Sequence, residues 1–502
     1  MAYRVMSPEQ AAELIPHGAT VGFSGFTPAG AVKATPRALA VRAKALHKEG
    51  KPFSIRVLTG ASTGKSLDEA LAEAEAISWR APYQSSNTLR KQINSGKVDF
   101  VDMHLSHVPQ TVAAGFFGKV DFAVVEATEV TQDGRVYLTT SVGASPTYLA
   151  CAEKVIIEIN RYHSPRTREM MDIAMLPPPP HRSPIPIHTP MTKIGWPYAQ
   201  VDPKKVVAIV ETNEPDEVGE FTPADRVSEQ IANNVVKFML DEMAAGRIPK
   251  EFLPLQSGVG NVANAVMEAL GKADDIPPFM MYSEVFQDAL VDLLLKKKLV
   301  GITATSLTLS PVQLQKIYAN MDFFAPRVVL RPQELSNNPG VVRRLGVISM
   351  NTALEVDIYG HANSTHVSGL NMMNGIGGSG DFTRNSYLSI YMCPSVAKDG
   401  KISTIVPMCS HVDHNEHSVQ IVVTEYGLAD LRGLGPMDRA NTIIEKCAHP
   451  AYRPYLHKYI ERSKPGHIRH DLATCFELHL NLQKTGSMLP VEELAKHGLK
   501  AK

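Results

Sequence analysis

An apolar run, Pro278-Phe279-Met280-Met281-Tyr282, stops at Ser283-Glu284, and a helical pattern starts directly after it. A short continuous apolar run of this kind reads as a buried strand. Phe286, Leu290, Leu293 and Leu294 then recur at i, i+4, i+7 and i+8, the spacing of one helix face. A strand feeding a helix points to an α/β layer architecture. It also leaves one carboxylate at the strand end, which is where open α/β sheets bind ligands. A helix N-terminus there would favour its negative charge. Glu284 so placed is a candidate nucleophile. Glutamate in a first helical turn is also a common structural feature, so the remaining sequence has to decide.

At 502 residues the chain exceeds a single core and predicts two or more domains. Its 51 basic and 51 acidic residues balance, and no basic block alternates with aromatics. Nucleic acid is therefore not an expected partner. No apolar run approaches the ~20 residues of a membrane span. The first residues, Met1-Ala2-Tyr3-Arg4-Val5-Met6, form neither an apolar signal core nor an Arg-rich transit peptide. Cys151, Cys393, Cys409, Cys447 and Cys475 are scattered and odd in number, which fits a reducing compartment. The expected location is cytoplasmic; in a eukaryotic host the mitochondrial matrix fits equally.

Pro177-Pro178-Pro179-Pro180-His181-Arg182-Ser183-Pro184-Ile185-Pro186 is extended by composition and is expected to cross between two lobes. Strands are predicted at 54–58, 122–125, 206–210 and 421–423, and helices at 7–14, 66–76 and 228–244. A weak repeat relates the halves: Ser24-Gly25-Phe26 to Ser257-Gly258-Val259, and Val124-Val125-Glu126 to Val422-Val423-Thr424-Glu425. Two related α/β domains, 1–195 and 196–502, are the expected organisation.

Three motifs invite other readings. Gly60-Ala61-Ser62-Thr63-Gly64-Lys65-Ser66 falls one residue short of a Walker A loop, and the phosphate nest depends on that spacing. Gly375-Ile376-Gly377-Gly378-Ser379-Gly380 satisfies G-x-G-x-x-G, but no clear strand precedes it and no acidic residue follows at the distance a dinucleotide site needs. Its glycines still let backbone approach a ligand closely. Cys409-Ser410-His411-Val412-Asp413-His414-Asn415-Glu416-His417 is rich in ligand types, yet the spacing converges only on a helix and the following residues read as strand. No metal site is expected there.

These segments resemble class I coenzyme A transferases of the acetyl-CoA hydrolase/transferase family. The similarity covers Gly22-Phe23-Ser24-Gly25-Phe26-Thr27, Leu255-Gln256-Ser257-Gly258-Val259-Gly260-Asn261, Ser283-Glu284-Val285, Ser336-Asn337-Asn338-Pro339, Asn374-Gly375-Ile376-Gly377-Gly378-Ser379-Gly380-Asp381-Phe382 and Ser410-His411-Val412-Asp413. It implies two tandem open α/β domains and transfer of coenzyme A between propionyl-CoA and succinate through a glutamyl-CoA thioester. Acetate as the partner acid, or acetyl-CoA hydrolysis, are the alternatives it leaves open. It places the catalytic carboxylate on Glu284 and oxyanion-binding N–H groups on Val259 and Gly378. It assigns Asn337, Lys398 and Glu425 to the coenzyme A and carboxylate pocket, with Gly258, Gly260, Gly375 and Gly377 beside them. It implies a homodimer, acyl-CoA and small carboxylates as substrates, and no metal or other cofactor. The chain departs from acetate-using relatives at Asp216-Glu217-Val218-Gly219, where they carry an arginine.

Overall fold

The helix Pro8–Glu13 starts as its sequence dictates. The Ser7 hydroxyl accepts the Gln10 N–H and the Gln10 side chain accepts the Ser7 N–H. This reciprocal box satisfies donors that every helix start leaves unpaired. The computed structural model describes residues 3–219 and 224–499. Long-range contacts divide the chain into two units. The first comprises Met1–Phe221, Phe279–Leu345 and Asn374–Asp381; the second comprises Thr222–Pro278, Gly346–Met373 and Phe382–Lys502. The chain passes between them repeatedly, so neither unit is one continuous run.

The first unit is built on a nine-stranded sheet. Asp99–Phe100, Ile77–Ala81, Ile55–Leu58, Thr20–Phe23, Phe122–Val130, Lys154–Asn160 and Val206–Thr212 lie parallel in that order. Arg135–Leu138 pairs antiparallel with Phe122–Val130, and Ala199–Gln200 pairs antiparallel with Arg135–Leu138. Thr20–Phe23 is buried throughout, as a strand covered on both faces must be. The helices Pro8–Glu13 and Ala34–Lys48 pack Ala11, Ala12, Leu39 and Ala43 into the core with Val21, Phe23, Ile55 and Val57. The strands predicted at 54–58, 122–125 and 206–210 are all present; two of them run longer than their apolar cores.

A second strand group in this unit carries Glu284. Phe279–Tyr282, Leu299–Ala304 and Val328–Leu330 run parallel. After a break at Ser283-Glu284 the chain resumes as Val285–Gln287, paired with Ser306–Thr308. The neighbouring strand breaks at the same level, at Thr305. Both breaks share one acceptor: the Glu284 carbonyl takes the N–H groups of Thr305 and Ser306 at 2.7 and 3.3 Å. The helix Asp288–Leu295 begins only afterwards. Glu284 is thus not in a helical first turn, contrary to expectation, but precedes the helix by a three-residue strand. Spacing misled because Phe286 keeps helical register with Leu290 while lying on a strand.

The second unit aligns Leu255–Ser257, Ile348–Thr352, Leu388–Met392 and Ile421–Thr424 in parallel, with Gly427–Asp430 antiparallel at one end. The helices Arg226–Ala244 and Asn261–Lys272 belong to this unit, and Pro436–Cys447 and Arg453–Arg462 build an apolar cluster with Tyr359, Tyr391 and Val422. Among the described residues no helix is long and apolar enough to cross a membrane.

The proline-rich stretch does not run free between lobes. It is fastened to the first unit. Arg344 donates to the carbonyls of Ile185 and Ile187. The buried Arg331 donates to the carbonyls of Pro190 and Thr192, at 3.1 and 2.6 Å, and pairs with the buried Asp172. Asp172 in turn accepts the N–H groups of Ile194 and Gly195. A segment with few N–H donors is thereby held through its carbonyls. Arg331→Met should leave Asp172 without its cation and lower stability by about 3–5 kcal/mol. An unchanged denaturant midpoint would contradict this account of the clamp.

Candidate active site

The break at Glu284 turns its side chain toward three other segments of the first unit. Asn337 lies where the short helix Gln333–Ser336 ends. Its Nδ2 donates to Glu284 Oε1 at 2.5 Å and to Asp381 Oδ2 at 3.4 Å. Its Oδ1 accepts the Ser336 hydroxyl at 2.8 Å, which fixes which end of the amide faces the carboxylates. Gly378 stacks against this pair. A Cβ there would overlap Glu284 Oε1 and Asn337 Nδ2, so only glycine fits.

The glycine loop is held from the N-terminal part of the same unit. Asp102 accepts the Ile376 N–H through both oxygens, at 2.8 and 3.0 Å. Arg90 donates to Asn374 Oδ1 at 2.6 Å, and the Asn374 carbonyl accepts the Gln84 N–H. Gly375 and Gly377 have φ of +140° and +60°, which side chains strain to adopt. The His104 ring fills the space a Cβ on Gly380 would need. Beside Glu284 lies a small apolar wall of Phe26, Ala61, Leu105 and Val285, with Tyr83 packed on it.

Glu284 keeps part of its surface accessible while its carboxyl is packed in protein. Burial, then the Asp381 charge, push its pKa up to about 8, against the Asn337 hydrogen bond that favours ionisation. Asp381 is buried too. Burial pushes it up to about 7, against hydrogen bonds from Ser106 and Asn337. Two carboxylic groups therefore titrate close together in a poorly solvated corner. A carboxylate with raised basicity, oriented by one amide and shielded on one side, is chemically equipped to attack an acyl carbon.

Glu284, Asn337, Gly375, Gly377 and Gly378 all lie in this unit, and the first, second and last of these make one cluster. Val259, Gly258, Gly260, Lys398 and Glu425 lie in the second unit. There the Gly258 N–H already donates to the Met350 carbonyl at 3.0 Å, and Gly260 turns the chain with φ +114° into the helix Asn261–Lys272. Val259 between them is half exposed, at 51 %. Lys398 occupies an exposed turn with φ +51°. Glu425 accepts the N–H and hydroxyl of Ser395 at 2.8 and 2.5 Å. Sequence reasoning passed over Asp381, Ser106, Asp102 and Tyr83. Asp381 stood next to the glycine run; the other three carry no local pattern.

The near-Walker loop is engaged by the protein itself. Ser66 N–H and Oγ donate to the Glu217 carboxylate at 2.9 and 2.6 Å, and a Cβ on Gly64 would overlap it. His411, His414 and His417 do not converge: His411 stands beside His366 and Asp413, His414 beside Tyr391, and His417 beside Glu416. Among the described residues, one group does converge with metal-ligand geometry, Glu126, His163 and Asp216. The ammonium of Lys33 sits within it, 2.7 Å from Glu126 and 3.2 Å from Asp216. Burial lowers His163, but Asp216 and Glu126 outweigh that and lift it to about 9. Two cations and two anions thus balance internally. This network buries Asp216, in the segment where arginine is absent.

The fold and this site define a class: an α/β protein with a half-sequestered carboxylate under a glycine loop. Models of the acetyl-CoA hydrolase/transferase N-terminal and C-terminal domains match residues 2–211 and 314–460. The chain belongs to that family. It is 60 % identical over 484 residues, covering 96 % of this chain and 98 % of the other, to the propanoyl-CoA:succinate CoA transferase of Escherichia coli. It is 45 % identical to the succinyl-CoA:acetate CoA-transferase of Clostridium kluyveri, covering 97 % and 90 % of the two chains. It is 44 % identical to the acetyl-CoA hydrolase of Schizosaccharomyces pombe, covering 95 % of each. The same fold appears in RipA from Yersinia pestis, with TM-score 0.68, 24 % identity and coverage of 91 % and 96 %. It also appears in a 4-hydroxybutyrate CoA-transferase from Porphyromonas gingivalis, with TM-score 0.61, 23 % identity and coverage of 91 % and 97 %.

Two outcomes are expected from the geometry. Gly378→Ala should displace Glu284 and lower kcat by about 10²-fold or more, with the fold retained. Activity equal to wild type would contradict the packing. For a Glu284 that acts as nucleophile, only the ionised carboxylate can attack, so kcat/KM should rise with pH through an acid limb near 8, the value to which Glu284 is pushed. A profile flat from about pH 6 to pH 9 would exclude Glu284 as the titrating nucleophile.

Proposed function

We propose that this protein is a CoA-transferase that moves coenzyme A between propionyl-CoA and succinate, with Glu284 as the covalent carrier. The observation that carries the reading is the Glu284 carboxylate, oriented by Asn337 under Gly378, in a member of this family. The acid pair is supported by the 60 % identity to a propanoyl-CoA:succinate enzyme.

The steps follow from the chemistry of the site. Glu284 attacks the thioester carbonyl, and the tetrahedral oxyanion is taken up by the backbone N–H groups of Val259 and Gly378. An oxyanion donor of this type contributes about 3 kcal/mol. Coenzyme A thiolate leaves, giving a mixed anhydride on Glu284. The thiolate then attacks the Glu284 carbonyl carbon and expels propionate. Succinate reverses both steps and leaves as succinyl-CoA. Each step is substitution at a carbonyl with no change in oxidation state, so the reading calls on no metal or redox group. The anhydride conserves the thioester's activation only while water is kept away. Asn337 orients the nucleophile, and Gly258, Gly260, Gly375, Gly377, Lys398 and Glu425 are assigned to the coenzyme A and acid pocket. The proposal takes the enzyme as a cytoplasmic homodimer.

Acyl exchange followed by mass spectrometry tests this. Given propionyl-CoA, the enzyme should form succinyl-CoA only when succinate is present. Glu284→Ala should abolish the exchange while leaving the fold intact. Free coenzyme A released equally fast without succinate would make the protein a hydrolase, as in the 44 % identical acetyl-CoA hydrolase. Acetyl-CoA formed from acetate in preference to succinyl-CoA would assign the other acid pair.

A further inference from the structure

The Asn337 nitrogen that meets Glu284 also faces a second carboxylate, Asp381. Its Oδ1 accepts the Ser106 hydroxyl at 2.6 Å, and its Oδ2 accepts the Ser106 N–H at 3.0 Å. Oδ2 also faces Asn337 Nδ2 at 3.4 Å. Asp381, Asn337 and Ser106 are all buried. The Asn337 amide is therefore specified at both ends. Ser336 occupies its oxygen, and its nitrogen points toward two carboxylates at once. An Asn337 held only by Glu284 would have to be reoriented whenever Glu284 changed chemical form.

Asp102, Tyr83, His104 and Arg90 stand on adjoining segments of the unit: Asp102 accepts the Ile376 N–H, and Arg90 donates to Asn374 and Asn87. His104 packs on Gly380, and Tyr83 on the apolar wall. The Asp381 charge opposes ionisation of Glu284, with which it shares the Asn337 amide, in a poorly solvated space where like charges interact strongly.

We propose that Asp381 is a positioning residue of the transfer reaction: it fixes the Asn337 amide toward Glu284 and, as a neighbouring negative charge, favours the states in which Glu284 has given up its own. Those states are the acyl anhydride and the CoA thioester. Forming the thioester converts the Glu284 carboxylate and an acyl-CoA into a neutral glutamyl thioester and a free carboxylate. One C–O bond to Glu284 is replaced by a C–S bond, and the displaced oxygen and its negative charge leave with the acid. The repulsion between Glu284 and Asp381 is relieved when that charge departs. Asn337 remains pinned by Asp381 and Ser336 throughout, ready to receive the carboxylate when it returns. The inference rests on the reading of Glu284 as nucleophile.

The pH dependence of kcat and kcat/KM in wild type, Asp381→Asn and Ser106→Ala tests it. Wild type should show an acid limb. In Asp381→Asn that limb should move down by about one pH unit, as expected for losing a nearby like charge, and kcat on the plateau should fall about tenfold. Ser106→Ala keeps the aspartate but weakens its hold on the proton-free form, so its limb should move the same way by a smaller amount. That variant also serves if Asp381→Asn does not fold. A merely structural role would lower yield or kcat with the limb in place, and an unmoved limb in the folded variants overturns the inference. A wild-type profile without any acid limb would instead overturn Glu284 as nucleophile.

Discussion

One amide between two buried carboxylic groups is the interaction on which the site depends. Asn337 meets Glu284 with one N–H and faces Asp381 with the other. In water such an arrangement would be weak, because solvent would separate and screen the charges. Here burial removes that escape. Both groups are driven toward their protonated forms, and ionising either one is costly unless the amide and Ser106 receive it. The energy spent in keeping Glu284 anionic next to Asp381 makes its carboxylate more basic than an exposed glutamate.

The rest of the first unit supplies the geometry that makes this strained pairing persist. Two parallel strands break together, at Ser283-Glu284 and at Thr305, and the Glu284 carbonyl closes the gap by taking two N–H groups. The backbone at Glu284 is thereby fixed while its side chain is released from the sheet. Gly378 permits the approach that any other residue would block. Asp102, Arg90 and Ser106 then anchor the segment around Gly378 to a different part of the chain. Rigid support of this kind lets a small set of atoms hold catalytic spacing.

Much of this was legible in the sequence, and the failures have physical causes. Apolar runs located Ile55–Leu58, Phe122–Val130, Val206–Thr212 and Ile421–Thr424, because strands buried on both faces leave a strong local signal. The break after Tyr282 located Glu284 for the same reason. Periodicity failed at Phe286, since an i, i+4 pair does not distinguish a strand residue followed by a helix from a helix alone. The helix dipole was consequently credited with favouring ionisation, whereas burial opposes it. The proline-rich stretch read as a spanning segment because its anchors, Arg331 and Arg344, lie far along the chain and act through backbone carbonyls. Asp381 and Ser106 bond across 275 positions; Asp381 adjoins the glycine run, but nothing local points to Ser106 as its partner. Asn337, Gly378 and the residues assigned to coenzyme A came from family resemblance. Spacing alone would not have joined them to Glu284.

In the proposed reaction coenzyme A becomes covalently attached to Glu284. The most direct measurement is intact and peptide mass spectrometry of the enzyme mixed with propionyl-CoA in the absence of succinate. A coenzyme A adduct on the peptide containing Glu284, lost on adding succinate and missing in Glu284→Gln, is the result expected. Sustained exchange of coenzyme A between the acids with no such adduct, or an adduct on another residue, would contradict it.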